Sequence, residues 1–282
     1  MPDCCCICKK DVSEELSEFL PWQIRKCKQC GLVYMNDVYS VNQRGFSDSA
    51  FRQLHDNPRQ KTVEYWSFPE MYNKYKRFFD GYFANRLNHL RQHHSHINRV
   101  LDVGCGYGFF MNYLKQQRIS TAGVDIDRSV IEYAKSQFNL DVLHAGIDKY
   151  SDDGTFDAIV ACDVLEHVPD PCSFLEKCHE MLAEDGVLYV QTPNVLGDTL
   201  PSGGSYNWPW HLWQFDPKTL ERLLTVNGFE VIQWWTGVMG VIGVLEAGGP
   251  DEATQAMWRR ATRQKRGNRL QMIARPYKMK VV

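Results

Sequence analysis

The chain has 282 residues, 44% of them hydrophobic and 12% aromatic, with a formal net charge of −2 at pH 7. That is enough apolar content for one large domain, or a domain with a small accessory unit, and it excludes disordered and collagen-like classes. The charge-free run toward the C-terminus at Gly237 to Leu245 falls far short of the roughly 18 apolar residues of a spanning helix. Met1-Pro2-Asp3-Cys4 lacks the basic-then-apolar architecture of a secretory signal, so a cytoplasmic location is expected.

Six of the ten cysteines lie within the first thirty positions, and the other four are scattered singly. A local thiol cluster in a reducing compartment points to metal rather than disulfides. Cys5-x2-Cys8 and Cys27-x2-Cys30 are separated by 18 residues, within the roughly 15–20 expected of a closed zinc site. Four thiolates make a tetrahedral shell that holds fold rather than performing chemistry, and so short a segment needs such a staple. Cys4 and Cys6 leave the register open, since either can replace Cys5. Gly31 permits the turn after the second pair. Residues 1–40 are therefore expected to form a zinc ribbon, with short alternating segments at Trp22–Arg25 and Leu32–Tyr34.

Residues 41–97 read as a helical linker or lid. Tyr72, Tyr75, Phe79, Phe83, Leu87 and Leu90 recur every three or four positions, one face of a single helix running from Tyr72 to His94. His93, His94 and His96 do not converge and read as a solvated turn.

From residue 98 to 282 short apolar runs alternate with amphipathic segments. Val100–Val103, Thr121–Val124, Val142–Leu143, Ala158–Ala161 and Val187–Val190 read as buried strands, with helices near 108–118, 128–138 and 171–183. This alternation predicts an α/β doubly wound fold whose parallel sheet is covered on both faces. A helix over about 217–227 ends at Gly228, followed by strands at Phe229–Trp235 and Leu270–Ala274. From Ala253 to Val282 there are nine basic residues and no acidic one, so the body of the chain is acidic and the end basic.

The densest motif is Leu101-Asp102-Val103-Gly104-Cys105-Gly106-Tyr107-Gly108, where a strand gives way to a helix. Glycines there let a ligand lie against bare backbone, and the helix start offers free N–H groups. Asp125 ends the next strand, 17 positions beyond Gly108. A carboxylate at that tip can accept from both hydroxyls of a ribose. Asp127 is better placed to cap the following helix.

With Phe156-Asp157-Ala158-Ile159, Asp163-Val164-Leu165-Glu166-His167-Val168-Pro169 and Gly186-Val187-Leu188-Tyr189-Val190-Gln191-Thr192-Pro193-Asn194, these motifs resemble the class I S-adenosylmethionine (SAM)-dependent methyltransferases over residues 99 to 235. Within that class they are closest to the ubiquinone-type and sugar methyltransferase branch, some bacterial members of which carry a zinc ribbon in front. The resemblance implies a Rossmann-like seven-stranded sheet. It implies that Asp102 and the turn Gly104, Cys105, Gly106, Gly108 hold the methionine end of SAM. Asp125 would then bind the ribose, Ile126 pack on adenine, Gly146 and Ile147 line the adenine pocket, and the backbone near Cys162 accept from the methionine amine.

A sulfonium is already activated, so alignment supplies most of the acceleration, while a hydroxyl acceptor benefits from a base. His167 sits after the fourth strand at the carboxyl edge, where α/β sheets bind ligands, and an imidazole suits proton removal at neutral pH. His211, in Asn207-Trp208-Pro209-Trp210-His211-Leu212-Trp213, is the second candidate base or substrate ligand. The expected reaction is O-methylation of a small-molecule acceptor, a sugar, saccharide end or phenolic metabolite. The alternative is RNA methylation, with ribbon and basic tail gripping nucleic acid. The confined positive charge and the absence of an Asn-Pro-Pro-Tyr-like motif argue against that alternative. The zinc unit is expected to meet either the substrate or a second subunit of a homodimer.

Overall fold

The computed structural model describes residues 5–10, 12–19, 22–36, 68–152, 154–197, 211–238 and 252–277. Cys4, Trp208, Trp210, Lys278 and Lys280 lie outside them. No helix among the described residues is long and apolar enough to cross a membrane.

The apolar runs become the strands of one seven-stranded sheet. These are β4 (Arg99–Val103), β5 (Ser120–Asp125), β6 (Val142–His144), β7 (Phe156–Cys162), β8 (Leu182–Pro193), β10 (Phe229–Gly237) and β11 (Arg269–Pro276). Their order is β6-β5-β4-β7-β8-β11-β10, with β4–β5, β4–β7, β5–β6 and β7–β8 parallel. β11 runs antiparallel to both neighbours. Because side chains alternate, successive residues of β4 serve opposite faces: Val100 packs in one buried cluster and Leu101 in the other.

Helices cover both faces. On the Val100 side lie α1 (Phe68–Lys74), α2 (Lys76–His93) and α3 (Phe109–Gln116), supplying Tyr72, Phe83, Leu87, Leu90, Phe110 and Leu114. On the Leu101 side lie α5 (Pro171–Met181) and α6 (Pro217–Val226). α4 (Arg128–Phe138) closes the β6 edge through Val130, Ile131 and Ala134, and α7 (Glu252–Arg263) packs beside β10. Three of the helix starts carry a side-chain cap. Asp127 accepts from the Ser129 N–H, Asp170 precedes Pro171, and Asp216 and Thr219 form a capping box.

Three sequence expectations change. The continuous helix from Tyr72 to His94 is two helices, broken where Tyr75 takes non-helical angles (φ −115°, ψ 29°). The histidines at its end are not all solvated: His93 Nε2 meets Gln233 Oε1 at 2.9 Å and His94 lies 3.4 Å from Asp185. The cysteine-rich segment adds an unpredicted strand, β1 (Ser13–Phe19), antiparallel to β2 (Trp22–Cys27).

This segment does not stand apart from the main core. β2 pairs with β3 (Val33–Met35), and β3 pairs with β9 (Trp213–Gln214), the short strand that begins two positions after His211. Buried Ile7, Ile24, Leu32, Tyr34 and Met35 join one cluster with Leu175, Leu212, Phe215 and Leu220. Shortening a side chain in the central sheet should be costly. Leu188→Ala on β8, wholly buried, is expected to lower the unfolding free energy by about 2–5 kcal/mol. Leu143→Ala, 43% exposed on edge strand β6, is expected to change it by under about 0.5 kcal/mol. Urea denaturation of both checks this, and equal effects contradict it.

Candidate functional site

Parallel pairing puts the carboxyl ends of β4, β5, β7 and β8 along one edge, and the motif residues gather there. The turn after β4 carries Gly104, Gly106 and Gly108 at φ of 70°, 52° and 73°, the left-handed region that glycine enters without steric cost. Gly104 and Gly108 are bare because protein fills the space: an added Cβ would run into Val164 Cγ2 at the first and come 2.6 Å from Leu140 Cδ1 at the second. Gly106 differs, with nothing within 4 Å of an added Cβ. It is half-buried, and the space on its Cβ side is open rather than packed. Cys105 is buried, its sulfur turned toward Gly123.

Asp125, at the tip of β5, faces this turn. Its Oδ2 accepts from the Gly106 N–H at 2.8 Å and its Oδ1 from the Asp127 N–H at 2.9 Å. Burial raises its carboxyl above the ordinary range, against the pull of those backbone donors. Ile126, next along, is 54% exposed, unusual for a large apolar side chain beside a crevice. The Ala145 N–H donates to the Asp125 carbonyl at 2.9 Å, bringing the loop after β6 alongside. In that loop Gly146 starts a 3-10 turn, but the Ile147 side chain is packed into the core.

Behind the turn, Asp102 is buried on β4. Burial outweighs the opposing Arg86 guanidinium and pushes its carboxyl up to about 7. Arg86, itself buried on α2, lies among the rings of Phe110, Tyr82, Tyr189 and Phe83 at 4.6 to 5.9 Å. Cys162 ends β7 in the same region, its thiol raised by burial. Past it, Asp163 adopts φ 55°, pairs with Arg269 at 2.8 Å and accepts from Gln191 Nε2 at 2.7 Å. Tyr82 Oη donates to Gln191 Oε1 at 2.6 Å. The sequence reading passed over Arg86, Gln191 and Asp163. For Arg86 the signal was a helix-face position between Phe83 and Leu87 where an apolar residue would be expected.

Farther along the edge, Glu166, His167 and His211 converge, with one donor atom from each within 4.8 Å of the others. Glu166 is almost wholly buried, and burial with Asp163's charge nearby pushes it up to about 8. Thr192 Oγ1 donates to its Oε2 at 3.0 Å, while its Oε1 lies 3.9 Å from His167 Nε2. The two imidazoles stand 4.9 Å apart at 73°. The Leu212 N–H donates to the Glu166 carbonyl at 2.8 Å, which anchors the His211 segment to the turn after β7.

The sulfurs of Cys5, Cys8, Cys27 and Cys30 also lie within 4.8 Å of one another. Two matched turns gather them. The Lys9 N–H donates to the Cys5 carbonyl and the Gly31 N–H to the Cys27 carbonyl, with Lys9 and Gly31 both left-handed. Burial raises the Cys5 thiol to about 11 and Cys30 also upward, whereas at Cys27 burial is outweighed by hydrogen bonds from the Cys30 and Gln29 backbone and the thiol is lowered; a bound cation would offset the charge of the thiolates. Cys6 turns away, its carbonyl accepting from Cys172 Sγ at 3.3 Å.

The sheet order with its single reversed strand, the glycine turn and the acidic strand tip define a class I SAM-dependent methyltransferase fold. The chain belongs to the methyltransferase-domain family, whose profile matches residues 68–234. A ubiquinone biosynthesis O-methyltransferase of Actinobacillus pleuropneumoniae is 30% identical over 122 residues, covering 39% of this chain and 52% of that one. A probable S-adenosylmethionine-dependent methyltransferase of Mycolicibacterium smegmatis is 28% identical over 134 residues, covering 47% and 52%. The chain thus spans about half the length of these curated relatives. Two solved structures share the fold at a TM-score of 0.55. One is a SAM-dependent methyltransferase from Archaeoglobus fulgidus, 19% identical, with 76% of this chain and 100% of that one covered. The other is the plantazolicin methyltransferase BpumL in complex with SAH, 14% identical, with 86% and 98% covered.

The raised Asp102 carboxyl has a measurable consequence. It binds its proton more tightly folded than unfolded, so ionising it costs stability. The cost is absent below the unfolded value of ~3.9, grows up to about 7 and is constant above. Asp102→Asn is expected to raise the unfolding free energy at pH 8 by on the order of 1–3 kcal/mol and to leave it nearly unchanged at acid pH. Urea denaturation at both pH values checks this; a gain independent of pH contradicts it.

Proposed function

We propose that the crevice between the turn after β4 and the tip of β5 binds SAM, and that the protein transfers its methyl group to a hydroxyl of a small-molecule acceptor. The observation that carries the reading is the open space at Gly106 beside the Asp125 carboxylate. Left-handed backbone with nothing over it, next to an acceptor-rich strand tip, fits an extended adenosyl ligand. Asp102, with the turn Gly104–Gly108, would hold the methionine end, whose ammonium offsets the charge that burial disfavours at Asp102. Asp125 would take the ribose hydroxyls and Ile126 the adenine, with Gly146 beside it and the backbone at Cys162 accepting from the amine. SAM supplies an electrophilic methyl on a sulfonium.

The chain's own part is to align the acceptor and remove its proton. His167 and His211 stand together at the same edge and are the groups for that step. The hydroxyl acceptor is supported by the O-methyltransferase relatives. The choice between a sugar and a phenol rests on the sequence resemblance alone. RNA is the weaker reading, because part of the basic end is engaged internally. Lys265 lies over the Trp234 ring at 3.8 Å, Arg269 pairs with Asp163, and Arg275 donates to the His93 carbonyl.

The cysteine cluster fits a structural zinc ion, held by Cys5, Cys8, Cys27 and Cys30. The donor set is four thiols in two matched turns, the pattern of a closed tetrahedral site.

Two measurements test these assignments. Asp125→Ala is expected to weaken SAM binding at least ~100-fold, close to 3 kcal/mol, by calorimetry with thermal unfolding retained; unchanged affinity overturns the ribose role. Elemental analysis is expected to find one zinc per chain in the purified protein and none after Cys27→Ser. A parent protein without zinc refutes the metal assignment.

A further inference from the structure

The Glu166–His167–His211 cluster has a feature that proton removal does not require. Oε1 of Glu166 is buried and has no hydrogen-bond partner among the described residues. Its sister oxygen is held by Thr192 Oγ1 at 3.0 Å, so the carboxylate cannot rotate to satisfy both oxygens without losing that bond. Leaving a buried acceptor unsatisfied is costly, more so when it is charged. The orphaned oxygen faces the two imidazoles, with His167 Nε2 3.9 Å away and donor atoms of all three residues within 4.8 Å.

We propose that Glu166, His167 and His211 form a second metal site, distinct from the cysteine cluster, for a divalent first-row transition-metal cation such as Mn²⁺, Fe²⁺ or Zn²⁺. Two imidazoles and one carboxylate are the donor set such cations accept, whereas an all-oxygen shell would suit Mg²⁺ or Ca²⁺. Three protein ligands leave coordination positions open, the mark of a site that receives substrate rather than one that only holds fold. The ligands are preorganised. Glu166 and His167 are consecutive on the turn after β7, where the His167 N–H donates to the Val164 carbonyl at 2.9 Å. The Leu212 N–H to the Glu166 carbonyl fixes the His211 segment against them.

The role of this site rests on the methyltransferase reading. With a metal bound, the two imidazoles serve as its ligands and no longer as bases, and the ion takes over their part in proton removal: an acceptor hydroxyl coordinated there would have its pKa lowered and give its proton to water. Its oxygen then forms the bond to the methyl carbon as the carbon–sulfur bond breaks, and sulfur leaves with the electron pair as a neutral thioether. The ligand class follows: an acceptor with two neighbouring oxygens, a vicinal diol or a catechol, which chelates the open positions.

The test uses the full chain with its cysteine cluster zinc-loaded, titrated with Mn²⁺ alone, the free ion being read from its electron paramagnetic resonance signal. No SAM or acceptor is present, so the result stands apart from the methyltransferase reading. One Mn²⁺ per chain is expected, with affinity falling at least tenfold in each of Glu166→Gln, His167→Ala and His211→Ala. Thermal unfolding identifies any variant that fails to fold, and the near-isosteric Glu166→Gln then decides. Absence of Mn²⁺ binding, or binding indifferent to the substitutions in folded protein, overturns the site and leaves a Glu–His ion pair in its place.

Discussion

The Gly106 N–H reaches across to Asp125 at 2.8 Å, and the geometry of the whole edge follows from that contact. It requires β4 and β5 to be adjacent and parallel, so that their carboxyl ends finish side by side. Beyond that contact the chain continues with φ above zero at Gly106, a conformation glycine enters without steric cost. The order β6-β5-β4-β7-β8 places the turns after β4 and β7 on the same side. The proposed cofactor crevice and the Glu166–His167–His211 cluster are thereby neighbours on one edge, although 60 or more positions separate Gly106 from His167 in the chain.

The cysteine-rich segment takes part in this arrangement. β3 pairs with β9, and the Met35 N–H donates to the Leu212 carbonyl at 3.0 Å while the Leu212 N–H donates to Glu166. His211 is thus carried on a segment clamped between the cysteine module and the turn after β7. Tyr34 and Trp213 pack with ring centroids 5.8 Å apart, and Trp213 Nε1 donates to the Val168 carbonyl at 2.7 Å. Whatever steadies the four sulfurs also steadies the segment that carries His211.

Much of this was legible in the sequence, because local chemistry and global fold agree along the sheet. The apolar runs are strands, Asp127 caps α4, and the glycine turn sits where strand meets helix. The readings that failed depend on distant partners. β1, Ser-Glu-Glu-Leu-Ser-Glu-Phe, has no strong strand propensity and exists because β2 lies alongside. The break at Tyr75 has no periodic signal either; just before it Tyr72 stacks on Phe109 at 4.0 Å, a contact from another element. Pairing of β3 with a two-residue strand some 180 positions away carries no periodic signal at all. Glu166 was overshadowed by His167, since its significance lies in burial and an unsatisfied oxygen rather than in residue type.

The central claim is that bare backbone at Gly106 and the carboxylate at Asp125 together receive an adenosyl ligand. A crystal structure of the protein grown with S-adenosylhomocysteine tests it most directly. The ribose hydroxyls should lie within hydrogen-bond reach of the Asp125 carboxylate, with the ligand chain running over Gly106. A crevice left empty at saturating ligand, or one that accepts a nicotinamide or flavin dinucleotide instead, would contradict it.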